Sequence, residues 1–315
     1  MIKKNWLLVF LIFFLICLLL VYGESGLNFN INLIRELRLP KIVVCLMAGG
    51  MLSLSGLIMQ IFFQNPLAGP DILGVSAGSS LFMAFWMMAS EGTSSIVTNL
   101  GGSVMSFIGA ITVFLLLLFF VQKNMSRVSL IIIGLLISSF ASSGISILVS
   151  MSQALQLKNY LSWSMGSFRA TTSSELPLFI LLSLFSIIPV FFFAKPLEQF
   201  LLSENYAKSM GVNVKKMRML FVLMAAFSIS IVTHFCGPIG FIGIISPHLA
   251  KHFLKSSKLS QLIPAVFMMG TILALITEVI LVFNPNYSLS VNAILGLIGS
   301  PVIVFYFYRQ REWSL

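Results

Sequence analysis

The chain has 315 residues, of which 58% are hydrophobic and only 9% charged, and its formal net charge is +10. Soluble proteins usually carry a charge on about a quarter of their residues, so this composition excludes an ordinary soluble domain and indicates a protein whose solvent is lipid. The basic residues form short clusters between apolar runs, which argues against a nucleic-acid partner. Cys17, Cys45 and Cys236 lie within apolar runs and show neither disulfide nor metal-ligand spacing.

Ten apolar runs approach or reach the length of about 20 residues that a helix needs to cross the hydrocarbon core. The first run follows Lys3 and Lys4 as in a signal peptide, but no usual cleavage site is evident and nine more runs follow, so we expect an uncleaved first helix. The eighth run is short and rich in Gly and Pro, and broken backbone at membrane depth is tolerated only where protein or a water-filled path surrounds it. The predicted spans are residues 6–22, 42–63, 72–89, 96–121, 128–151, 176–194, 217–236, 239–254, 262–283 and 291–308.

The distribution of Lys and Arg predicts the orientation of these spans. With the N-terminus in the cytoplasm, fourteen of the 19 basic residues fall on the inner side. The five on the outer side are Arg35, Arg38, Lys41, Lys158 and Arg169. Because cytoplasmic loops carry the excess of basic residues, we predict an all-α polytopic membrane protein with about ten transmembrane helices and both termini in the cytoplasm.

Several kinds of chemistry are missing from the sequence. No phosphate-binding loop of the G-x-x-x-x-G-K-[ST] form occurs. Among the acids, only Glu278 falls clearly within a predicted span, near its outer end, which is a poor place for a proton relay. His248 and His252 share a helix face but have no third ligand nearby, so we expect an interface or capping role and no metal site. We predict neither catalytic residues nor a cofactor.

Five segments carry a specific pattern. The longest, residues 65–78, reads Asn-Pro-Leu-Ala-Gly-Pro-Asp-Ile-Leu-Gly-Val-Ser-Ala-Gly. Its Pro66 removes a helix donor and restricts Asn65, so the chain must turn at the inner end of the second span. The other four are Arg-Leu-Pro-Lys at 38–41, Trp163 with Met165-Gly166, Glu204 with Ala207 and Gly211, and Gly-Phe-Ile-Gly-Ile-Ile-Ser-Pro-His at 240–248.

Together these segments resemble the bacterial FecCD-like permeases of type II ABC importers, which take up iron–siderophore complexes, haem and cobalamin. The resemblance runs from about residue 35 to the C-terminus. It implies that residues 1–315 form a single transmembrane permease domain in the cytoplasmic membrane of the cell. It also implies three partners: a second identical or related permease, ABC ATPase subunits on the inner face, and an extracytoplasmic substrate-binding protein outside. ATP would be hydrolysed on the separate ATPase chain.

The resemblance also implies residue roles on the inner side. The turn after the second span and the loop before the fifth would form the cytoplasmic gate, through Asn65, Pro66, Leu67, Ser126 and Arg127. The inner loop 195–218 is the longest polar insertion and the only inner loop long enough to hold short helices. It would dock on the ATPase and transmit its motion, and the family-like positions there are Glu204, Ala207 and Gly211.

On the outer face, the resemblance implies that Arg38 and Lys41 meet acids on the two lobes of the binding protein. Anchoring of the second helix at the membrane interface is the alternative. Lys41 stands where the family often has Arg, which keeps the charge but loses the planar fork. The ninth span usually carries an Asp and, four residues on, an Arg, and these positions are Thr277 and Leu281 here. A following Glu-Leu-Pro-x-Gly corresponds to Ser-Leu-Ser-Val-Asn at 288–292.

The function implied is translocation of a bulky iron chelate, a siderophore complex or haem, by an ATP-driven importer. A cobalamin importer permease is one alternative. An ion-coupled secondary transporter is another, against which the lack of acids at the midplane argues.

The charge distribution yields a prediction of sidedness. In intact cells, a membrane-impermeant thiol reagent should label Asn30→Cys, which we place outside. The same reagent should leave Ser126→Cys and Ser203→Cys unlabelled until the membrane is opened. Labelling of Ser203→Cys in intact cells would overturn the ten-span arrangement.

Overall fold

The computed structural model describes residues 2–23, 26–27, 31–89, 95–123, 125–169, 171–256, 258–285 and 289–311. The outer labelling position Asn30 and Ser288, the first residue of the altered 288–292 segment, lie outside the described residues.

Within the described ranges the chain is almost wholly helical, which confirms the all-α prediction. The N-terminal third contains α1 (Ile2–Val21), the two-residue antiparallel strands β1 (Tyr22–Gly23) and β2 (Gly26–Leu27), α2 (Ile31–Leu33), a π-helical segment (Ile34–Arg38), α3 (Leu39–Phe63), a 3₁₀ segment (Pro70–Leu73), α4 (Val75–Ala89) and α5 (Ser95–Gln122). The remainder contains α6 (Arg127–Met151), α7 (Ala154–Ser164), α8 (Leu176–Phe192), α9 (Ala194–Leu202), α10 (Glu204–Ser209), α11 (Val214–Cys236), α12 (Ile242–Leu254), α13 (Leu259–Phe283) and α14 (Val291–Arg311).

Each of the ten predicted spans corresponds to one of these helices: α1, α3, α4, α5, α6, α8, α11, α12, α13 and α14. By length and composition, five described helices can cross a membrane on their own, and a sixth forms if α8 and α9, bent by 57°, count as one. Of the other predicted spans, α1, α4 and α14 contain shorter apolar helices. Helix α12 has 13 residues, which is less than the length needed to cross the hydrocarbon core. Helix α7 was not predicted, because its 11 residues are too few and too polar to register as a span.

The centre of the fold is α3, where 83% of the apolar stretch is buried, against 17% in α6. Three glycines, Gly49, Gly50 and Gly56, let α12 and α13 approach the α3 backbone. A methyl group on Gly49 would lie 2.5 Å from the carbonyl oxygen of Gly270 in α13, and one on Gly56 would overlap the carbonyl of Gly243 in α12. Lipid does not drive apolar helices together, so close backbone packing of this kind supplies much of the association between membrane helices.

The helical run is broken between α11 and α12, where residues 237–240 belong to no helix or strand and Gly237 and Phe241 have positive φ values of 74° and 67°. The side chain of Asn292 in α14 satisfies this backbone: Nδ2 donates to the Pro238 carbonyl at 2.8 Å, and Oδ1 accepts from the Gly240 N–H at 3.0 Å. Backbone groups that leave a helix and are shielded from water need such partners from the protein. Asn292 therefore has a definite structural role.

The glycine contacts of α3 predict a difference between two alanine variants. Gly56→Ala should lower the free energy of unfolding by about 1–3 kcal/mol, because the added methyl group has no space beside Gly243. Gly296→Ala in α14 is the matched control, since its methyl group would lie 3.6 Å from the Phe241 ring, an ordinary contact. Thermal unfolding midpoints in detergent distinguish the two. Equal midpoints for Gly56→Ala and the unmodified protein would show that α3 and α12 pack less closely than described.

Candidate functional site

On the outer side, a buried acid in α13 collects basic residues from two other parts of the chain. The Glu278 side chain is 1% exposed. Its Oε1 accepts a hydrogen bond from Arg169 Nε at 2.9 Å and lies 3.7 Å from Lys41 Nζ. Arg169 belongs to the segment after α7 and Lys41 to the start of α3. Because an unpaired buried charge is costly, these contacts hold the three segments together.

The structure places Arg38 below the outer surface, with 6% of the residue exposed. Its Nη1 donates to the carbonyl oxygens of Leu20 at 2.6 Å and Val21 at 3.1 Å, at the C-terminal end of α1. A side chain on Gly23 would collide with the guanidinium. Arg38 thus satisfies carbonyls that the end of a helix leaves unpaired. Of the two predicted docking residues, Lys41 is the one that reaches the surface, where 17% of its side chain is exposed.

A cavity of about 660 Å³ opens above this region. Lys41 and Arg169 contribute positive charge to its lining, Glu36 contributes negative charge, and Thr172 and Ser173 contribute hydroxyl groups. Arg38 also borders the cavity, but its guanidinium is bound to the carbonyls at the end of α1. A concave surface of this composition can accept a protruding acidic side chain, since it offers both charge and hydrogen-bond donors.

On the inner side, the turn that follows α3 is held by α12. Asn65 Oδ1 accepts a hydrogen bond from the Leu67 N–H at 2.9 Å, which closes the turn and leaves Leu67 46% exposed. His248 Nε2 lies 2.8 Å from the Pro66 carbonyl and donates to it, because a carbonyl only accepts. Gln60 Nε2 donates to the Ile244 carbonyl at 3.2 Å. The predicted gate residues of this turn are therefore fixed to α12, and His248 has the interface role expected of it.

The second predicted gate segment begins α6. The Ser126 hydroxyl accepts a hydrogen bond from the Ser129 N–H at 3.1 Å and so caps the helix at Arg127. Two turns further on, Gly134 packs directly against the carbonyl of Ile72. Gly74, with a φ of +72°, meets the Gly134 carbonyl in return. The structure thus brings α6 against the 3₁₀ segment that continues from the 64–69 turn.

The long inner loop contains two short helices, α9 and α10. Ser203 caps α10 by accepting from the Tyr206 N–H at 3.0 Å, and Ala207 is fully buried beneath it. Gly211 ends the helix with a φ of +83° while its Cα faces open space, and the next residue, Val212, donates to the Ala207 carbonyl at 3.0 Å. Glycine adopts this backbone conformation more readily than any residue with a side chain, which explains why the motif ends on Gly211.

Glu204, the first residue of α10, pairs with two arginines. Its Oε1 lies 3.0 Å from Arg127 Nη2 and accepts from Arg218 Nε at 2.8 Å, and its Oε2 accepts from Arg218 Nη2 at 2.5 Å. All three side chains are only 18–20% exposed. Burial alone would raise the pKa of Glu204, but the hydrogen bonds and charges of Arg218 and Arg127 outweigh it and lower the pKa below its usual value. The carboxylate therefore stays ionised at neutral pH, and the cluster loses its charge pairing only when the pH falls through this lowered pKa.

The sequence indicated Arg127 and Glu204 for separate reasons and missed both their contact and the part played by Arg218. One signal was available, since Glu204 is among the few acids placed on the side that holds fourteen basic residues. Among the described residues, no group of three or more His, Cys, Asp or Glu side chains is placed to hold a metal ion.

The FecCD transport family matches residues 6–309 of the chain. The chain is 28% identical to the hemin transport system permease protein of Yersinia pestis over 281 residues, which cover 88% of this chain and 83% of that protein. It is 27% identical to the vitamin B12 import system permease protein of Photorhabdus laumondii over 297 residues, 93% and 85% of the two chains. A solved structure assigned as a metal-chelate type ABC transporter in an inward-facing conformation matches with a TM-score of 0.88 and 25% identity, over 98% of this chain and 100% of that one.

Proposed function

This chain belongs to the FecCD transport family and is a permease of an ABC importer for metal chelates, haem or vitamin B12, and we propose that its cargo is an iron chelate, either a siderophore complex or haem. We place it in the cytoplasmic membrane, with residues 1–315 as one permease domain. A vitamin B12 importer is the second candidate, which the similarity to the Photorhabdus laumondii protein supports.

The observation that carries the proposal of an ATP-driven importer is the structure of the inner loop, residues 195–218. Helix α10 presents exposed polar residues, among them Asn205 and Lys208, while Ala207 anchors it to the protein. The sequence contains no phosphate-binding loop, so energy from ATP must reach the chain through contact with another subunit. We infer that an ABC ATPase binds this loop, and that Glu204, Ala207 and Gly211 keep α10 in the position for that contact.

A polar face on α6 supports a route for a large ligand. Five exposed serines recur at helical spacing along the outer half of this helix: Ser139, Ser142, Ser143, Ser146 and Ser150. Two of their hydroxyls donate within the helix, from Ser146 to the Ser142 carbonyl and from Ser150 to the Ile147 carbonyl. Such a face is wettable but holds no fixed charge, which suits a bulky chelate that must be released again. A second permease, identical or related, would close the route from the other side.

The inner end of the route would be closed by the two predicted gate segments. The turn of Asn65, Pro66 and Leu67 is fixed to α12, and Ser126 and Arg127 begin α6. We propose that relative movement of these segments opens and closes the cytoplasmic exit. The exposed Leu67 side chain is suited to an apolar seal against its counterpart in the second permease.

The outer cavity supports docking of a binding protein. Lys41 and Arg169 place positive charge at its wall, and an acidic side chain on each lobe of the binding protein would enter the cavities of two permease copies. Arg38 would contribute from below, by holding α1 and α3 in place. Interfacial anchoring remains the competing role for the outer basic residues.

Transport in vesicles tests the proposal. Vesicles that contain the chain with its ATPase and binding protein should accumulate haem or a ferric siderophore only when ATP is present, and an uncoupler of ion gradients should have no effect. Gly211→Val should abolish uptake while ATP hydrolysis continues, because valine strains the positive φ that ends α10. Gly211→Asn is the matched control and should retain most uptake, since Asn tolerates this conformation. Uptake that fails with the uncoupler and persists without ATP would contradict the proposal.

The two predicted docking residues should respond differently to neutralisation. Lys41→Gln should weaken binding-protein affinity by up to about fivefold, as expected for the loss of a partly exposed ion pair of about 1 kcal/mol. That loss should shrink as salt is raised. Arg38→Gln should leave the affinity near that of the unmodified protein and lower the thermal unfolding midpoint instead.

Surface plasmon resonance over a salt series, together with thermal unfolding, distinguishes these effects. Lys158→Gln is the control, because Lys158 is exposed on the same side but does not line the cavity. Unchanged affinity in Lys41→Gln and reduced affinity in Arg38→Gln would contradict the assignment.

A further inference from the structure

We propose that Glu204, Arg127 and Arg218 form a mechanical link that carries the position of the ATPase-facing helix α10 to the gate end of α6. This inference rests on the proposed function. The three are positioning residues, since none of them needs to touch the cargo or ATP.

The link joins three helices at their first turns. Arg127 is the first residue of α6, Glu204 is the first residue of α10, and Arg218 lies one turn into α11. Helix α10 packs chiefly against α9 and α11, whereas α6 packs chiefly against α4. The Arg127–Glu204 contact therefore adds a direct ion pair between α10 and α6, alongside the indirect path through α11, which packs against α4 and α5.

The charges make the link dependent on Glu204. One carboxylate lies between two guanidinium groups, and both of its oxygens are engaged. If Glu204 loses its charge, two arginines remain close together and repel each other. Because about four-fifths of each side chain is shielded and Arg218 binds with two parallel hydrogen bonds, the cluster is stronger than an exposed surface pair.

The route continues from α6 into the gate by direct contact. Gly134 of α6 rests on the Ile72 carbonyl, and Gly74 rests on the Gly134 carbonyl. The 3₁₀ segment at this contact follows directly on the turn that holds Leu67. A displacement of α10 by the ATPase thus has a continuous path: through Glu204 to Arg127, along the first two turns of α6, and into the turn of the gate.

The experiment measures the accessibility of the gate residue at position 67 and does not require the natural cargo. Leu67→Cys is introduced, and its rate of labelling by an impermeant maleimide is measured in inside-out vesicles that contain the ATPase, with and without a non-hydrolysable ATP analogue. In this background the nucleotide should change the labelling rate. Adding Arg127→Gln or Glu204→Gln should reduce that nucleotide-dependent change about tenfold, as expected for loss of a charge-assisted hydrogen bond. Lys195→Gln, an exposed base in the same loop that lies outside the cluster, should leave the change intact.

Inversion of all three charges separates a mechanical role from a purely structural one. The triple variant Arg127→Glu, Glu204→Arg and Arg218→Glu places one guanidinium between two carboxylates, so the nucleotide response should return, whereas Glu204→Arg alone should lack it. ATPase binding, measured by co-purification, should persist in all variants.

The outcomes also separate the link from the proposed function. In the protein with its native Leu67, absence of ATP-dependent uptake of both haem and a ferric siderophore would contradict the proposed function. With uptake intact in that protein, three results would overturn the link alone: no nucleotide response of Leu67→Cys, a response that persists in Arg127→Gln and in Glu204→Gln, or failure of the charge inversion to restore the response.

Discussion

Lipid hydrocarbon offers no hydrogen bonds, and this constraint determines where the chain can depart from a regular helix. Two of the breaks in the described helices are the turn after α3 and the segment between α11 and α12. Each break is satisfied by side chains from neighbouring helices: His248 binds the first, and Asn292 binds the second. Both breaks border α12, which contacts the glycine-lined surface of α3. The irregular backbone is therefore held by the most closely packed part of the protein.

Because charged side chains are costly in hydrocarbon, they lie near the outer and inner ends of the helices, where they form two ion-pair clusters of similar composition. Each has one glutamate and two basic residues, with Glu278 at the outer face and Glu204 at the inner face. The outer glutamate is almost fully buried within long helices, whereas the inner one begins a six-residue helix. The outer cluster is suited to a fixed platform that receives a partner. The inner cluster, on a short helix outside the membrane, is suited to transmit movement.

The sequence predicts the spans well because a bilayer demands long apolar runs, and all ten runs became helices. It misses α7, whose 11 residues are stabilised by local hydrogen bonds and leave no apolar signature. The motif around Gly211 was predicted from the family resemblance, and the structure gives its physical reason, a positive φ that favours glycine. The burial of Arg38 and the partnership of Arg127, Glu204 and Arg218 are not predictable, because they depend on contacts between residues 14 to 77 positions apart, for which a single sequence gives no pairing signal. Roles at the gate, the loop and the docking surface came from family resemblance.

Pulsed electron paramagnetic resonance gives the most direct view of whether the inner face moves as one unit. Spin labels at the exposed positions Asn205 in α10 and Val128 in α6 report the separation across the Glu204 cluster. Within one copy of the assembled transporter, this distance should stay constant when the ATP analogue binds. In the proposed assembly with a second permease, a label at Val128 and one at the corresponding position of the second permease should change their separation under the same conditions. A change in the Asn205–Val128 distance, with no change between the two Val128 labels, would contradict a gate driven through this cluster.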